Sequence, residues 1–337
     1  MNNFQGWGPP DNTSVEDRLT HERRGFDRLY SDMPVLAGKR SGAPLTNLMT
    51  ERWEQFQSGK GRGAGSFDLT LVQEFTWGKG FDWLPQIIGS CVASNTLRPW
   101  VTRSCYQIGM RGDGSEFLGR NEFSPFNLSF YAPFSYGEAR RRANMKGATS
   151  RDDGLYCEAM YNSLTKCGVL PCSTPVLIDL LKRLNVAGER DFPEPQNAQV
   201  YRQFGNWQHL DELIKYCDFR LLETQTLTTA DELLAAGKEF KPASVCSPVA
   251  IRKIGTHKDG FDIHARDPNN TWMHCMSFQG FVLSSDGKVF QKLCNKSWGP
   301  ERVYNVPIEE VDAWFKRKIL TVQTIGEIDL PKSVPFT

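Results

Sequence analysis

Apolar periodicity changes character once along this chain, and that change limits the folds open to it. From Phe67 to about Phe192 apolar residues recur at helical spacing: in a run opened by Cys91, in another over Leu128–Asn144 and in a third over Tyr156–Lys166 that stops at Gly168. Two shorter helical patterns follow, Asp211–Tyr216 and Ala230–Gly237, and the pattern then turns strand-like at Ala243–Ile254, His274–Leu283, Val289–Lys296 and Arg302–Val306. Between two of these runs stands Ser285-Asp286-Gly287, and Asp-Gly readily takes the positive dihedrals that a hairpin turn requires. Helices first and neighbouring strands afterwards read as an α+β fold with an antiparallel sheet in its second part. Pro99 lies eight residues into the helix opened by Cys91, so that helix is expected to bend or restart near Trp100.

The 337 residues, 39% of them hydrophobic, suffice for a real core in one large domain or in two lobes with an arm. Residues 1–66 read as that arm: they mix charge, Gly and Pro and end in the flexible connector Ser58-Gly-Lys-Gly-Arg-Gly-Ala-Gly-Ser66. Residues 67–192 form the helical lobe. Residues 193–337 form the β-rich lobe with a C-terminal extension, which includes a last helix over Glu309–Lys318 and a Pro-rich tail. A formal net charge of +1 gives no electrostatic reason to expect nucleic acid or an anionic membrane as main partner. The basic stripe Arg140-Arg141-Arg142 with Lys146 reads as a solvated helix face, and Arg111-Gly112-Asp113 as a chance triplet in a polar loop. Apolar runs too short to span a bilayer, and a first stretch without the pattern of a signal peptide, lead to the expectation of a cytoplasmic protein. Nine cysteines without a framework spacing suit a reducing compartment, and the sequons at Asn12, Asn127 and Asn269 are then chance.

Chemistry concentrates at three places. Gly89-Ser90-Cys91 sets a thiol at the first turn of a helix, where unpaired N–H groups and the helix dipole favour thiolate. A lone Gly-Ser-Cys is more often a buried structural thiol, but it is followed one lobe later by His274, ahead of Gly280-Phe281 on a strand-like run. His21, His209, His257 and His264 have no such context and read as surface or loop residues. Cys167, Cys172 and Cys275 lack the paired short spacing of a zinc site and read as small buried hydrophobes, so no metal and no cofactor are expected. No phosphate-cradling loop and no dinucleotide fingerprint occur.

Taken together, Gln86-Ile-Ile-Gly-Ser-Cys-Val-Ala93, His274-Cys-Met-Ser-Phe-Gln-Gly-Phe281 and Asn295-Lys-Ser-Trp-Gly299 resemble the scattered active site of papain-like cysteine peptidases, over roughly residues 67–306. The resemblance implies a papain-like two-lobed fold, with the Cys on a helical N-terminal lobe and the His on an antiparallel β-rich C-terminal lobe. It further implies Cys91 as nucleophile, His274 as its base, an asparagine orienting the imidazole, and Gln86 as an oxyanion donor acting on a peptide or protein substrate. An ion pair of Cys91 thiolate and His274 imidazolium is expected on the same grounds. Two spacings depart from the family. Aligning on Ser297-Trp298-Gly299 puts Lys296 at the orienting position, whereas a one-residue β-bulge puts Asn295 there. Gln86 stands five residues before Cys91 instead of six, and Ile88 occupies the place of the cysteine that usually staples this loop. Degenerate sites of this kind resemble papain-like proteins carried by bacteriophages. The alternative is therefore a papain-fold structural or assembly protein, a virion component for example, holding other subunits through residues 1–66 and the C-terminal tail.

Overall fold

The computed structural model describes residues 66–69, 88–110, 131–149, 152–171, 174–184, 198–295 and 303–330. The expected arm before Ser66, the triplet Arg111-Gly112-Asp113, the lobe boundary near residue 192 and the Pro-rich tail after Leu330 lie outside them.

In chain order the elements are β1 (Ser66–Asp68), α1 (Cys91–Met110), α2 (Ala132–Arg142), α3 (Cys157–Lys166), α4 (Pro175–Arg183), α5 (Ala198–Gly205) and α6 (Leu210–Leu213), which runs into a 3-10 turn over Ile214–Tyr216. Then come β2 (Thr226–Leu227), α7 (Ala230–Lys238), β3 (Ala243–Thr256), β4 (Asp262–Leu283), β5 (Val289–Cys294), β6 (Val303–Pro307), α8 (Ile308–Lys316) and β7 (Thr321–Thr324). The fold is α+β, with the helices mostly in the first part and a seven-stranded sheet in the second.

The sheet runs β2-β7-β3-β4-β5-β6, and its neighbours along that path are antiparallel. The long strand β4 organises it. Its beginning meets β3 and, at Ile263 opposite Asn305, the end strand β6, so the sheet curls back on itself. At its other end β4 takes β1 on one side, Phe67 opposite Phe281, and β5 on the other. The start of the described chain is thus sewn into the sheet rather than into the helices. Gly287, at φ 82, closes the β4–β5 hairpin as the Asp-Gly pair requires.

Helix α1 is buried on every side from Cys91 to Val101. It runs unbroken past Pro99, so of the two expected outcomes, a bend or a restart, the restart does not occur. A mid-helix proline removes one backbone bond at a cost of about 3 kcal/mol, and burial of the whole helix offsets that. Its front packs on β4 and β3, and its rear is pinned by the returning chain. Arg103 Nε donates to the Gly326 carbonyl at 2.6 Å, while Gln107 exchanges two hydrogen bonds with the Ile328 backbone at 2.9 and 3.0 Å. One core joins α1, α2, α3, α7 and α8 to the sheet, and a second, around Phe134, Leu177, Val200 and Phe204, lies among α2, α4, α5 and α6.

Of the basic stripe, Arg140 turns inward against the expected solvated face, while Arg142 and Lys146 are exposed. Arg140 is fully buried, its guanidinium donating to the carbonyls of Gly154 and Asp152, while Arg141 and Arg142 grip the buried Glu138 at 2.6 and 2.9 Å. The carbonyls of a loop that no strand satisfies are what draw the guanidinium inward. His264 departs from expectation in the same sense: it is buried within β4, where its Nδ1 accepts from the Asn305 N–H at 3.3 Å.

Candidate active site

Helix α1 begins at Cys91, so its thiol stands on the first turn, and it is only 5% exposed. Before it the chain makes a tight turn, with the Ser90 N–H donating to the Ile88 carbonyl at 2.6 Å. Gly89 is required there by close approach: a Cβ at that position would come within 2.5 Å of Asp153 Oδ1. The Gly89 N–H donates to the Asp153 carboxyl, and the Asp153 carbonyl in turn accepts from Tyr136 Oη at 2.7 Å. Together with Arg140 these contacts fasten the 152–154 loop between α2 and the start of α1.

His274 lies on β4 opposite Ser247 of β3 and is 4% exposed. Asn95, one turn beyond Cys91 on the same face of α1, donates through Nδ2 to the carbonyls of Cys91 (3.2 Å) and Cys275 (2.9 Å). A single amide therefore ties the thiol's helix to the strand residue next to the imidazole. Cys91 and His274 line one pocket of ≈200 Å³, with Val92, Leu155, Glu158 and Met273 among the other walls.

Asn295 Oδ1 accepts from His274 Nε2 at 2.7 Å, in full burial. Because an amide oxygen only accepts, this bond puts the ring proton on Nε2 and leaves Nδ1 as the basic nitrogen. The strand register explains the reach. Ser277 pairs with Cys294, so Asn295, one residue on, falls opposite Met276 and diagonal to His274 on the same face. Farther along the same pair of strands the register shifts at Phe278/Gly280, leaving Gln279 as an extra residue, while the bulge expected at Lys296 lies outside the described residues. Lys296 and Gln86 lie outside the described residues.

Electrostatics depart from the expected ion pair. Burial pushes the Cys91 thiol up to about 11, against hydrogen bonding from the Cys275 and Val92 backbones, and the Asp153 carboxylate pushes the same way as burial. Burial also drives His274 down to about 4, with the Asn295 bond opposing it. Desolvation thus holds both groups neutral in the resting protein.

Cys157, at the start of α3, is joined by a disulfide to Cys246 on β3, and both line the same pocket. The sulfurs of Cys157, Cys246 and Cys275 lie within 4.8 Å of one another, but the disulfide leaves only Cys275 with a thiol to offer a metal. Nothing in the cysteine spacing announced this bond, whose partners are 89 residues apart. Sequence reading also missed Asn95, Asp153 and Glu158; of these Asn95 alone had a usable signal, its four-residue spacing from Cys91.

A thiol at a helix start and a strand-borne imidazole that an amide holds in place thus line one pocket. No family model matches the chain, and no curated protein does either. Solved structures similar to it include xylellain, a cysteine protease from Xylella fastidiosa, at 14% identity, covering 96% of this chain and 97% of that one with a TM-score of 0.46. The Amb a 11 cysteine protease, a ragweed pollen allergen in its proform, is 11% identical, with 95% and 91% covered and a TM-score of 0.43. Digestive procathepsin L 3 of Tenebrio molitor larval midgut is 11% identical, with 89% and 99% covered and a TM-score of 0.40. Among the described residues no helix is long and apolar enough to cross a membrane.

Proposed function

We propose that the protein is a papain-like thiol hydrolase, a cysteine peptidase working by acyl transfer through Cys91 and His274. The observation that carries this reading is the placement of both groups on one pocket, with the imidazole held by Asn295 at 2.7 Å. His274 Nδ1 takes the thiol proton as the Cys91 sulfur attacks the carbonyl carbon of a peptide or protein substrate. The imidazolium so formed keeps its Nε2–H on Asn295. The oxyanion lies against the N–H groups at the start of α1, with the Gln86 side-chain amide as a second donor. His274 then gives its proton to the leaving amine, and the thioester is hydrolysed by water that His274 deprotonates. Because both groups rest neutral, proton transfer accompanies attack instead of preceding it.

The test is hydrolysis of fluorescein-labelled casein across pH 5–9, with Cys91→Ala and His274→Ala as controls. Hydrolysis that falls at least about a thousand-fold in either variant supports the reading. No hydrolysis by the unmodified protein sinks it and favours a second reading, a papain-fold assembly protein with a weakened site. What favours that alternative is the depth of the pair, at 5% and 4% exposure, which holds both side chains in their unreactive forms. Such a protein would elute as a large stoichiometric complex from its native source. Any virion setting, and any docking through residues 1–66 or the tail, belongs to this alternative.

A further inference from the structure

The walls of the pocket are uneven in charge. Val92, Leu155, Met273 and the Cys157–Cys246 disulfide are apolar, Cys91 and His274 rest neutral, and the one acidic side chain is Glu158. Glu158 is exposed, on the first turn of α3. Its neighbours one turn on, Tyr161 and Asn162, offer no cation, and among the described residues no basic side chain pairs with it. An acid in this position does favour the helix dipole, worth about 0.3–1 kcal/mol, and that is reason enough for a carboxylate on α3. It gives no reason for the carboxylate to line a pocket shared with a thiol and an imidazole.

Size narrows what could enter. At ≈200 Å³ the pocket is below the roughly 300 Å³ at which cavities begin to hold drug-sized ligands, so it suits one side chain. A mostly apolar lining that also holds Tyr156, Thr321 and one carboxylate suits a side chain with an aliphatic stem and a cationic head, because such chains bury the stem and keep the charge beside a polar group.

We propose that Glu158 makes this pocket selective for lysine or arginine in the peptide that it binds. The proposal deepens the hydrolase reading and rests on it for the setting, since it names the side chain that the same site accepts. The carboxylate forms a charge-assisted hydrogen bond with the ammonium or guanidinium, while Val92, Leu155 and Met273 cover the methylenes.

The experiment uses fluorogenic peptide amides carrying lysine, arginine, norleucine or glutamate in turn at each of the three positions before the scissile bond. Norleucine supplies the stem without the charge. At one of the positions kcat/KM for lysine and arginine should exceed that for norleucine about ten-fold. Glu158→Gln should bring the ratio to about one, and Glu158→Lys should turn the preference toward glutamate. The same peptides are titrated by calorimetry onto the Cys91→Ala protein, whose binding does not depend on turnover. A lysine preference in binding that Glu158→Gln removes, with no hydrolysis by the unmodified protein, upholds Glu158 and overturns the hydrolase. Hydrolysis with equal rates for lysine and norleucine at all three positions overturns Glu158 and leaves the hydrolase standing. Binding that ignores the charge, or no binding at millimolar peptide, also overturns it. If Glu158→Gln lowers only the thermal midpoint and leaves the ratio intact, the carboxylate serves the helix alone.

Discussion

Asn295 holds the His274 ring through one hydrogen bond in a buried setting. Removing the amide by Asn295→Ala leaves a buried Nε2–H without its acceptor, which costs about 1–3 kcal/mol of stability and frees the ring to turn. The expected result is a lower denaturation midpoint, with kcat falling at least ten-fold and KM changing less; an unchanged kcat would mean that the bond orients nothing. Charge states make a second prediction at this scale. The unfolded chain protonates His274 near 6.5 and the folded one near 4, so stability is full above about pH 6.5 and is lost as pH falls toward 4. At the alkaline end the unfolded chain releases the Cys91 proton near 9.0 while the folded protein keeps it to about 11, so stability declines as pH rises through that window. Thermal midpoints against pH should show both limbs, the acid one shallower in His274→Gln and the alkaline one shallower in Cys91→Ser. A Cys91→Ser profile as steep above pH 9 as the parent's would exclude the buried neutral thiol.

The elements around the pocket are held by side chains crossing between them. Arg140 and Tyr136 on α2 clamp the 152–154 loop, Asp153 takes up the Gly89 amide, and Asn95 links α1 to β4. The disulfide does the same for α3 and β3, closing a loop of sequence separation 89. Cys246→Ser should cost roughly 2–4 kcal/mol, measured as a shift in denaturant midpoint, and a strong reductant should give the same shift in the parent. Identical midpoints with and without reductant would show the two sulfurs unjoined in solution. Local pattern located most of these elements well: α3, α7, the β4–β5 hairpin and β6 lie within a few residues of their expected positions. It missed α4, α5 and the short strands β1, β2 and β7, and it did not join Asp262–Trp272 to the strand carrying His274, because that stretch is polar and half exposed and its pairing with β3 is set by the partner strand.

At the scale of the whole molecule the two ends of the described residues cross over. β1, from the front of the described chain, completes the sheet beside β4, and the segment after α8 returns through β7 to the rear of α1 and the edge near Leu221. The helical and β-rich parts therefore share a core and are not expected to fold apart. Truncation after Lys318 removes β7 together with both Gln107–Ile328 bonds and should abolish cooperative unfolding; a truncated chain with a sharp thermal transition would refute that. Order along the chain was enough to read helices before strands and to single out Cys91 and His274, since helix starts and strand patterns are written in neighbouring residues. The reach of Asn295 to the imidazole was legible only as one of two alternatives, and three things could not be read that way: the inward turn of Arg140, the pairing of Cys157 with Cys246, and the neutral state of the thiol and imidazole. Each depends on strand register, on an unpaired carbonyl in a distant loop, or on exclusion of water, and these exist only once segments far apart in sequence have packed together.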